Sequence, residues 1–334
     1  MTATAPPTVE LPRPAPERRQ LVTRPTASDR VFVWVTRGAA VATLLVMCLI
    51  GYFLTKGAWP ALQQRGWHFF TEKQWLPETG EYGIAGLLEG TVLVGVIALL
   101  VAVPVSFGAA LFISEYAPAG LRRALVTLVD LMAAVPAVIY AIWAVVFLQA
   151  QLLPVAQWLS VHLGKFLGPL TVKTPDSPSS YTSSAFIAGV AVGFVIMPTI
   201  TSIMREVFAQ APIGEREGAI ALGSTKWGMI RTVVLPFGRA GIIGGIMLGL
   251  GRALGETIVV YALISPIFDF TTHPLETGTN TIAAHIASRY SESNGTAFAG
   301  LLAAGMVLFA FTLVINTAAG VVVSRSRSGA ATEI

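Results

Sequence analysis

Six apolar runs set the terms for this chain. They lie at about 31–55, 86–113, 123–149, 183–204, 239–265 and 298–323. Each approaches or exceeds the roughly 20 residues that a helix needs to cross a hydrocarbon core about 30 Å thick. No water reaches that core to satisfy backbone N–H and C=O groups, so such segments have to be helical. The balance of residues agrees: 54% are hydrophobic and 12% charged, where a soluble domain carries about 25% charged residues. The expected fold class is an all-α integral membrane protein with six transmembrane helices. Pro104 and Pro136 interrupt two runs, which neighbouring helices can accommodate by re-satisfying the freed backbone groups.

Charge bias orients the spans. With the N-terminus inside, the inner segments hold 14 Lys and Arg and the outer loops 6, so the positive-inside rule places both termini in the cytoplasm. Residues 1–30, rich in Pro, Thr and Arg, read as a disordered cytoplasmic tail. The membrane domain then covers 31–323 and a second cytoplasmic tail 324–334. The outer segment 150–182 contains a further apolar piece, broken by Pro154, His162, Lys165 and Pro169. It reads as an interfacial helix; a seventh span would invert the later loops and spoil the charge count. The pI of 9.4 is thereby explained by topology, and no basic cluster or aromatic platform points to nucleic acid. Cys48 is the single cysteine, so there is no disulfide framework.

The inner segment 205–238 reads REVFAQAPIGEREGAIALGSTKWGMIRTVVLPFG. Helical signals follow Pro212 and stop at Gly223. Ala219, Leu222, Trp227 and Ile230 give short apolar faces among Glu215, Arg216, Glu217, Lys226 and Arg231. A short helix, a glycine turn and a second short helix is the simplest reading. Such a unit either rests on lipid headgroups or docks a cytoplasmic partner through apolar knobs ringed by charge.

Two ionisable residues interrupt the fifth run, in GLGRALGETIVV at 249–260. A charged side chain at the bilayer centre costs roughly 2.5–3.5 kcal/mol on insertion scales. Arg252 and Glu256 are four apart, which in a continuous helix puts them on one face. Entering from Arg239 at 1.5 Å per residue, Arg252 lies about 20 Å in and Glu256 about 26 Å in. Gly241, Gly245 and Gly249 repeat at i+4, a spacing that lets a second helix approach closely. The pair reads either as a substrate site or as a salt bridge locking two helices. Asp130 in the third run and Glu89 near the outer end of the second line a path or pair with a neighbouring helix. Arg37 snorkels to the inner headgroups. His162 and His285 have no metal-ligand spacing, and no metal site is expected.

Several signals are absent. GLGRALG breaks the dinucleotide spacing and follows no strand. No GxxxxGK[ST] occurs, so the chain has no P-loop of its own with which to hydrolyse ATP. Nothing in the sequence forms a catalytic constellation, and the chain is not read as an enzyme.

The order Glu217-Gly218-Ala219, three residues, Gly223, nine residues, Val233-x-Leu235-Pro236 resembles the EAA loop of binding-protein-dependent ABC importer permeases. Gly218 and Val233 are mild departures. The stretches at 130–143, 248–257, 281–290 and 301–316 are similar to the PstC type of phosphate-specific permease, and the likeness runs from about residue 30 onward. It implies the type I ABC importer permease fold in a bacterial inner membrane. It implies coupling helices, with Glu217, Ala219, Gly223, Leu235 and Pro236 in the ATPase-contacting loop. The partners implied are a second permease subunit, two cytoplasmic ATPase subunits that carry ATP and Mg, and an extracytoplasmic phosphate-binding protein. It implies no cofactor in this chain, and an Arg252 and Glu256 that serve phosphate passage. A permease for another oxyanion, such as sulfate or molybdate, and an ion-coupled secondary carrier remain the alternatives.

Overall fold

The computed structural model describes residues 26–264, 271 and 273–326, with 325 and 326 described by backbone alone. The two terminal tails expected from the sequence therefore fall almost wholly outside the described residues. The chain divides into two units, Met1–Ile50 and Gly51–Ile334. In the first unit residues 26–50 are described, all exposed, and those from Ala27 onward belong to α1 (Ala27–Arg65). The helix thus begins four residues inside the expected tail.

The second unit opens with the rest of α1, a short α2 (His68–Thr71) and a hairpin of β1 (Trp75–Leu76) and β2 (Glu81–Tyr82). α3 (Ala85–Leu111) continues through a π-helical turn at Phe112–Tyr116. α4 (Ala119–Ala134) ends at an extended Val135 before Pro136. α5 (Ala137–Trp143), a π-helical turn and α6 (Gln149–Leu163) then run without a break. α7 (Ala185–Ala209), α8 (Ile213–Ala221) and α9 (Lys226–Met229) follow, and a third π-helical turn leads into α10 (Leu235–Leu254). α11 (Ile258–Leu263), α12 (Ile282–Arg289) and α13 (Gly295–Ser326) complete the described chain.

Six helices are long and apolar enough to span: Ala27–Arg65, Ala85–Tyr116, Ala137–Leu163, Ala185–Ala209, Lys226–Leu254 and Gly295–Ser324. The third differs from the expected 123–149. Proline clashes with an α-helical residue before it, so Pro136 ends α4 instead of merely interrupting a span. The apolar piece after 149 is the second half of this membrane helix, not a separate interfacial one. Among the described residues the number of spans is unchanged, and the segment between the second and third becomes 117–136, which holds Arg122 and Arg123. The fifth run is also broken. The helix stops at Leu254 and restarts at Ile258.

α7 is the spine. Its buried residues Ile196, Ile200, Met204 and Phe208 recur at i+4 and form one face of the main core. α3 packs on it closely enough that Ser106 donates to the carbonyl of Met197 at 2.9 Å. α10 packs on the other side through the expected glycine stripe. A Cβ at Gly249 would lie 2.5 Å from Cδ1 of Ile200, and one at Gly245 3.2 Å from Cγ2 of Ile203.

Candidate functional site

The open face of α7 carries the polar groups. Thr199 and Ser202 are half-buried and Glu206 is exposed, and their spacing of three and four residues keeps them on one stripe. Thr199 lies about 21 Å along a helix about 37 Å long, close to its middle. There Nη1 of Arg252 donates to its Oγ1 at 3.0 Å. Arg252 is the last basic residue of α10 and is exposed. On α5, the Tyr140 hydroxyl donates to the carbonyl of Met132 on α4 at 3.0 Å. The polar stripe of α7 is thus met by α10 through Arg252 and Thr199 and by α4 through Asp130 and Arg205.

Glu256 does not share a helix face with Arg252. It sits in the gap between α10 and α11, where its own backbone N–H reaches the carbonyl of Ala253 at 3.2 Å. Its Oε1 accepts from the Val259 N–H at 3.4 Å. That carboxylate caps the first turn of α11, satisfying a donor that has no intrahelical partner and complementing the positive end of the helix dipole. Among the described residues no ion pair joins it to Arg252. The salt-bridge alternative fails because the helix ends between them, at Gly255.

Asp130 is not inside a span but on α4. Its Oδ1 stands 3.9 Å from Nη2 of Arg205, and the same nitrogen lies 3.5 Å from Ser202 Oγ. Glu89 is paired near the N-terminal end of α3 with Nζ of Lys73 at 3.1 Å. The structure brings Asp130 to the polar face of α7 and leaves Glu89 apart from Arg252.

The inner loop has the expected shape. α8 and α9 flank Gly223, whose φ of +85° is a left-handed conformation that costs other residues roughly 1–2 kcal/mol. Thr225 caps α9 by accepting from the Gly228 N–H at 3.1 Å. Leu222 is 91% exposed, and Ile213, Ile220 and Trp227 also stand in the open. Ile230 is buried and Ala219 packs against the core. Glu217, Gly223 and Pro236 are exposed, and Leu235 is half-buried. The sequence reading missed the anchor of this unit. Nη1 of Arg216 meets Oε1 of Glu115 at 3.0 Å, with Glu115 only 4% exposed, and Nη2 of Arg216 bonds the carbonyl of Phe208. Lys226 stacks over Tyr116 at 4.7 Å. An acid at the end of an apolar run was the available signal.

β1, β2 and α12 form a packed scaffold. His285 is buried, 4.6 Å from the Trp75 ring, and its Nδ1 faces Nδ2 of Asn280 at 3.3 Å. Burial, and secondarily the charge of Arg289, lowers its pKa from 6.5 to about 3. No cluster of His, Cys, Asp and Glu able to hold a metal occurs among the described residues.

Residues 102–328 match the family described as binding-protein-dependent transport system inner membrane component. A Mycobacterium tuberculosis protein named phosphate transport system permease protein PstC 2 is 37% identical over 295 residues, spanning 87% of this chain and 90% of that protein. A Mesorhizobium japonicum protein named phosphate transport system permease protein PstC is 35% identical over 331 residues, 96% of this chain and 98% of that one. Among solved structures, one chain of a bacterial ABC transporter involved in the import of the acidic polysaccharide alginate superposes with a TM-score of 0.55 at 18% identity. It covers 89% of this chain and 99% of that one; this likeness carries the fold alone. Six spanning helices, the α8–α9 unit with its exposed apolar knobs, and this match over most of the length have one reading: the chain belongs to the family of binding-protein-dependent transport system inner membrane components.

Proposed function

We propose that this chain is the permease subunit of an ATP-driven phosphate importer, conducting inorganic phosphate along the polar stripe of α7 that α4 and α10 meet. The observation that carries the reading is Arg252, an exposed guanidinium at the end of α10, near the helix centre and bonded to the neutral hydroxyl of Thr199. A guanidinium presents a planar fork of donors matched to an oxyanion. Thr199 holds the fork in place without cancelling its charge. Glu256, engaged as a cap a few residues away, contributes negative charge beside the same break, which weakens the grip on phosphate and favours release.

A second, similar permease subunit covers the open polar face. Two ATPase subunits, which carry ATP and Mg, seat the exposed knobs of α8 and α9, with Glu217, Ala219 and Gly223 in the contacting loop and Leu235 and Pro236 leading into α10. Arg216 then transmits the movement of α8 to α3 through Glu115 and to α7 through the carbonyl of Phe208. A phosphate-binding protein delivers its ligand on the outer side, and both termini face the cytoplasm.

The test is labelled phosphate uptake into proteoliposomes holding the co-expressed complex, with and without ATP. Uptake is expected to require ATP and to ignore excess sulfate. Arg252→Gln is expected to lower it by about tenfold or more, since one charge-assisted hydrogen bond is worth roughly 1.5–3 kcal/mol, while ATP hydrolysis continues. Sulfate competition would move the substrate to another oxyanion, and uptake without ATP would replace the importer by a secondary carrier.

A further inference from the structure

We propose that Arg205, held by Asp130 and Ser202, is a second oxyanion-binding station on the cytoplasmic side of Arg252. The inference rests on the phosphate-conducting reading above and adds a site to it. Arg205 is six residues beyond Thr199 on α7, about 9 Å further along the helix axis, and four residues from that helix's end at Ala209. It borders the stripe that presents Thr199 and Ser202. A bound anion leaving the Arg252–Thr199 contact toward the cytoplasm therefore meets Arg205 within about two turns of helix.

The way Arg205 is held suits a transient ligand. Nη2 is shared between Asp130 at 3.9 Å and Ser202 at 3.5 Å, both long for charge-assisted hydrogen bonds, which run at about 2.7–2.9 Å. Its Nε is buried with no hydrogen-bond partner among the described residues. A guanidinium so placed has donors to spare. The Arg205 side chain is 22% exposed and that of Asp130 55%, so an anion can reach the pair from the open face. Asp130 comes from α4, an element outside the spans, and its carboxylate is the competitor that returns Arg205 to rest once phosphate has left. The exchange is one of hydrogen bonds and charge alone: phosphate displaces the carboxylate from the guanidinium, and the carboxylate displaces phosphate.

A mere fastener between α4 and α7 makes different predictions from a station, and variants of the whole reconstituted complex separate the two. With Arg205→Gln, phosphate uptake is expected to fall by about tenfold or more, the loss of one charge-assisted contact, with ATP hydrolysis retained. Asp130→Asn is expected to assemble, to half-saturate at lower phosphate and to turn over more slowly, because the competitor has been weakened. The charge-swapped double variant Arg205→Asp with Asp130→Arg is expected to stay inactive. Uptake by Arg205→Gln within about twofold of the unmodified complex, less than half a kcal/mol, overturns the station. So does rescue by the swap, or an equal loss of assembly in both single variants. An unmodified complex that takes up no phosphate with ATP would remove the underlying reading as well, a result distinct from any variant's.

Discussion

Two arginine–carboxylate pairs stand near the same end of this molecule and differ in almost every respect. Glu115–Arg216 closes at 3.0 Å with side chains 4% and 19% exposed, and Arg216 also binds the carbonyl of Phe208. Asp130–Arg205 stands open at 3.9 Å with its carboxylate half in solvent. The first joins α8 to α3; the second joins α4 to α7. Removing one partner of a buried pair leaves an uncompensated charge, whereas an exposed pair exchanges readily with water and ions. The tight pair is built to transmit force and the loose one to be parted by a ligand.

The largest expected effect breaks the tight pair. Glu115→Ala is expected to destabilise the fold by about 3–5 kcal/mol, the cost of breaking a largely buried pair by removing its carboxylate. Asp130→Ala, at an exposed and long contact, is expected to cost under about 1 kcal/mol. Thermal unfolding of the purified complex in nanodiscs measures both. Equal shifts would erase the distinction between the two pairs.

A buried histidine sharpens the comparison because burial keeps it neutral where the two pairs are charged. His285 is buried beside Trp75 and Asn280, and its pKa is lowered from 6.5 to about 3, by burial first and Arg289 second. The unfolded chain binds a proton at this site below pH 6.5, and the folded chain does not until about pH 3. Stability therefore falls as pH drops through that window, by up to about tenfold in the folding equilibrium per unit, and is complete above it. His285→Asn is expected to flatten the slope between pH 6.5 and 5, read as the difference in unfolding temperature between the two proteins. A difference that does not vary with pH would sink the idea.

How much of this was legible in the sequence follows from the range of the forces involved. Hydropathy is a local sum, so the six spans could be read directly. The helical signals after Pro212 and the break at Gly223 mark α8 and its turn into α9, because turn chemistry is local too. The third span was misplaced because Pro136 was treated as tolerable within a helix, whereas here it ends α4 and frees the chain to start a new helix at Ala137. Arg252 and Glu256 were put on one face because i+4 periodicity presumes an unbroken helix, and Gly255 breaks it. Glu115 was not singled out because its partner is Arg216, a hundred residues away, and nothing near Glu115 marks that contact. The polar stripe Thr199–Ser202 escaped because hydroxyls scarcely lower hydropathy; only packing shows which face of α7 is covered.

The smallest expected effect lies near the N-terminal end of α3, where Lys73 and Glu89 make a contact of 3.1 Å, within 0.1 Å of the buried pair, but with both side chains open at 51% and 39%. Distance and exposure here point in opposite directions, which makes this pair the control for the whole comparison. If length sets the strength, Glu89→Gln should cost as much as a change at Glu115. If desolvation sets it, solvent screens the charges and the ordering of two long side chains offsets most of the gain, leaving about 0.2–1 kcal/mol. We expect the latter, together with a loss of even that contribution in high salt, where the screening length shrinks to about 3 Å at 1 M. An unfolding temperature for Glu89→Gln that matches the unmodified protein in high salt, beside a Glu115→Ala deficit that salt does not remove, would make burial the property that separates the two kinds of pair.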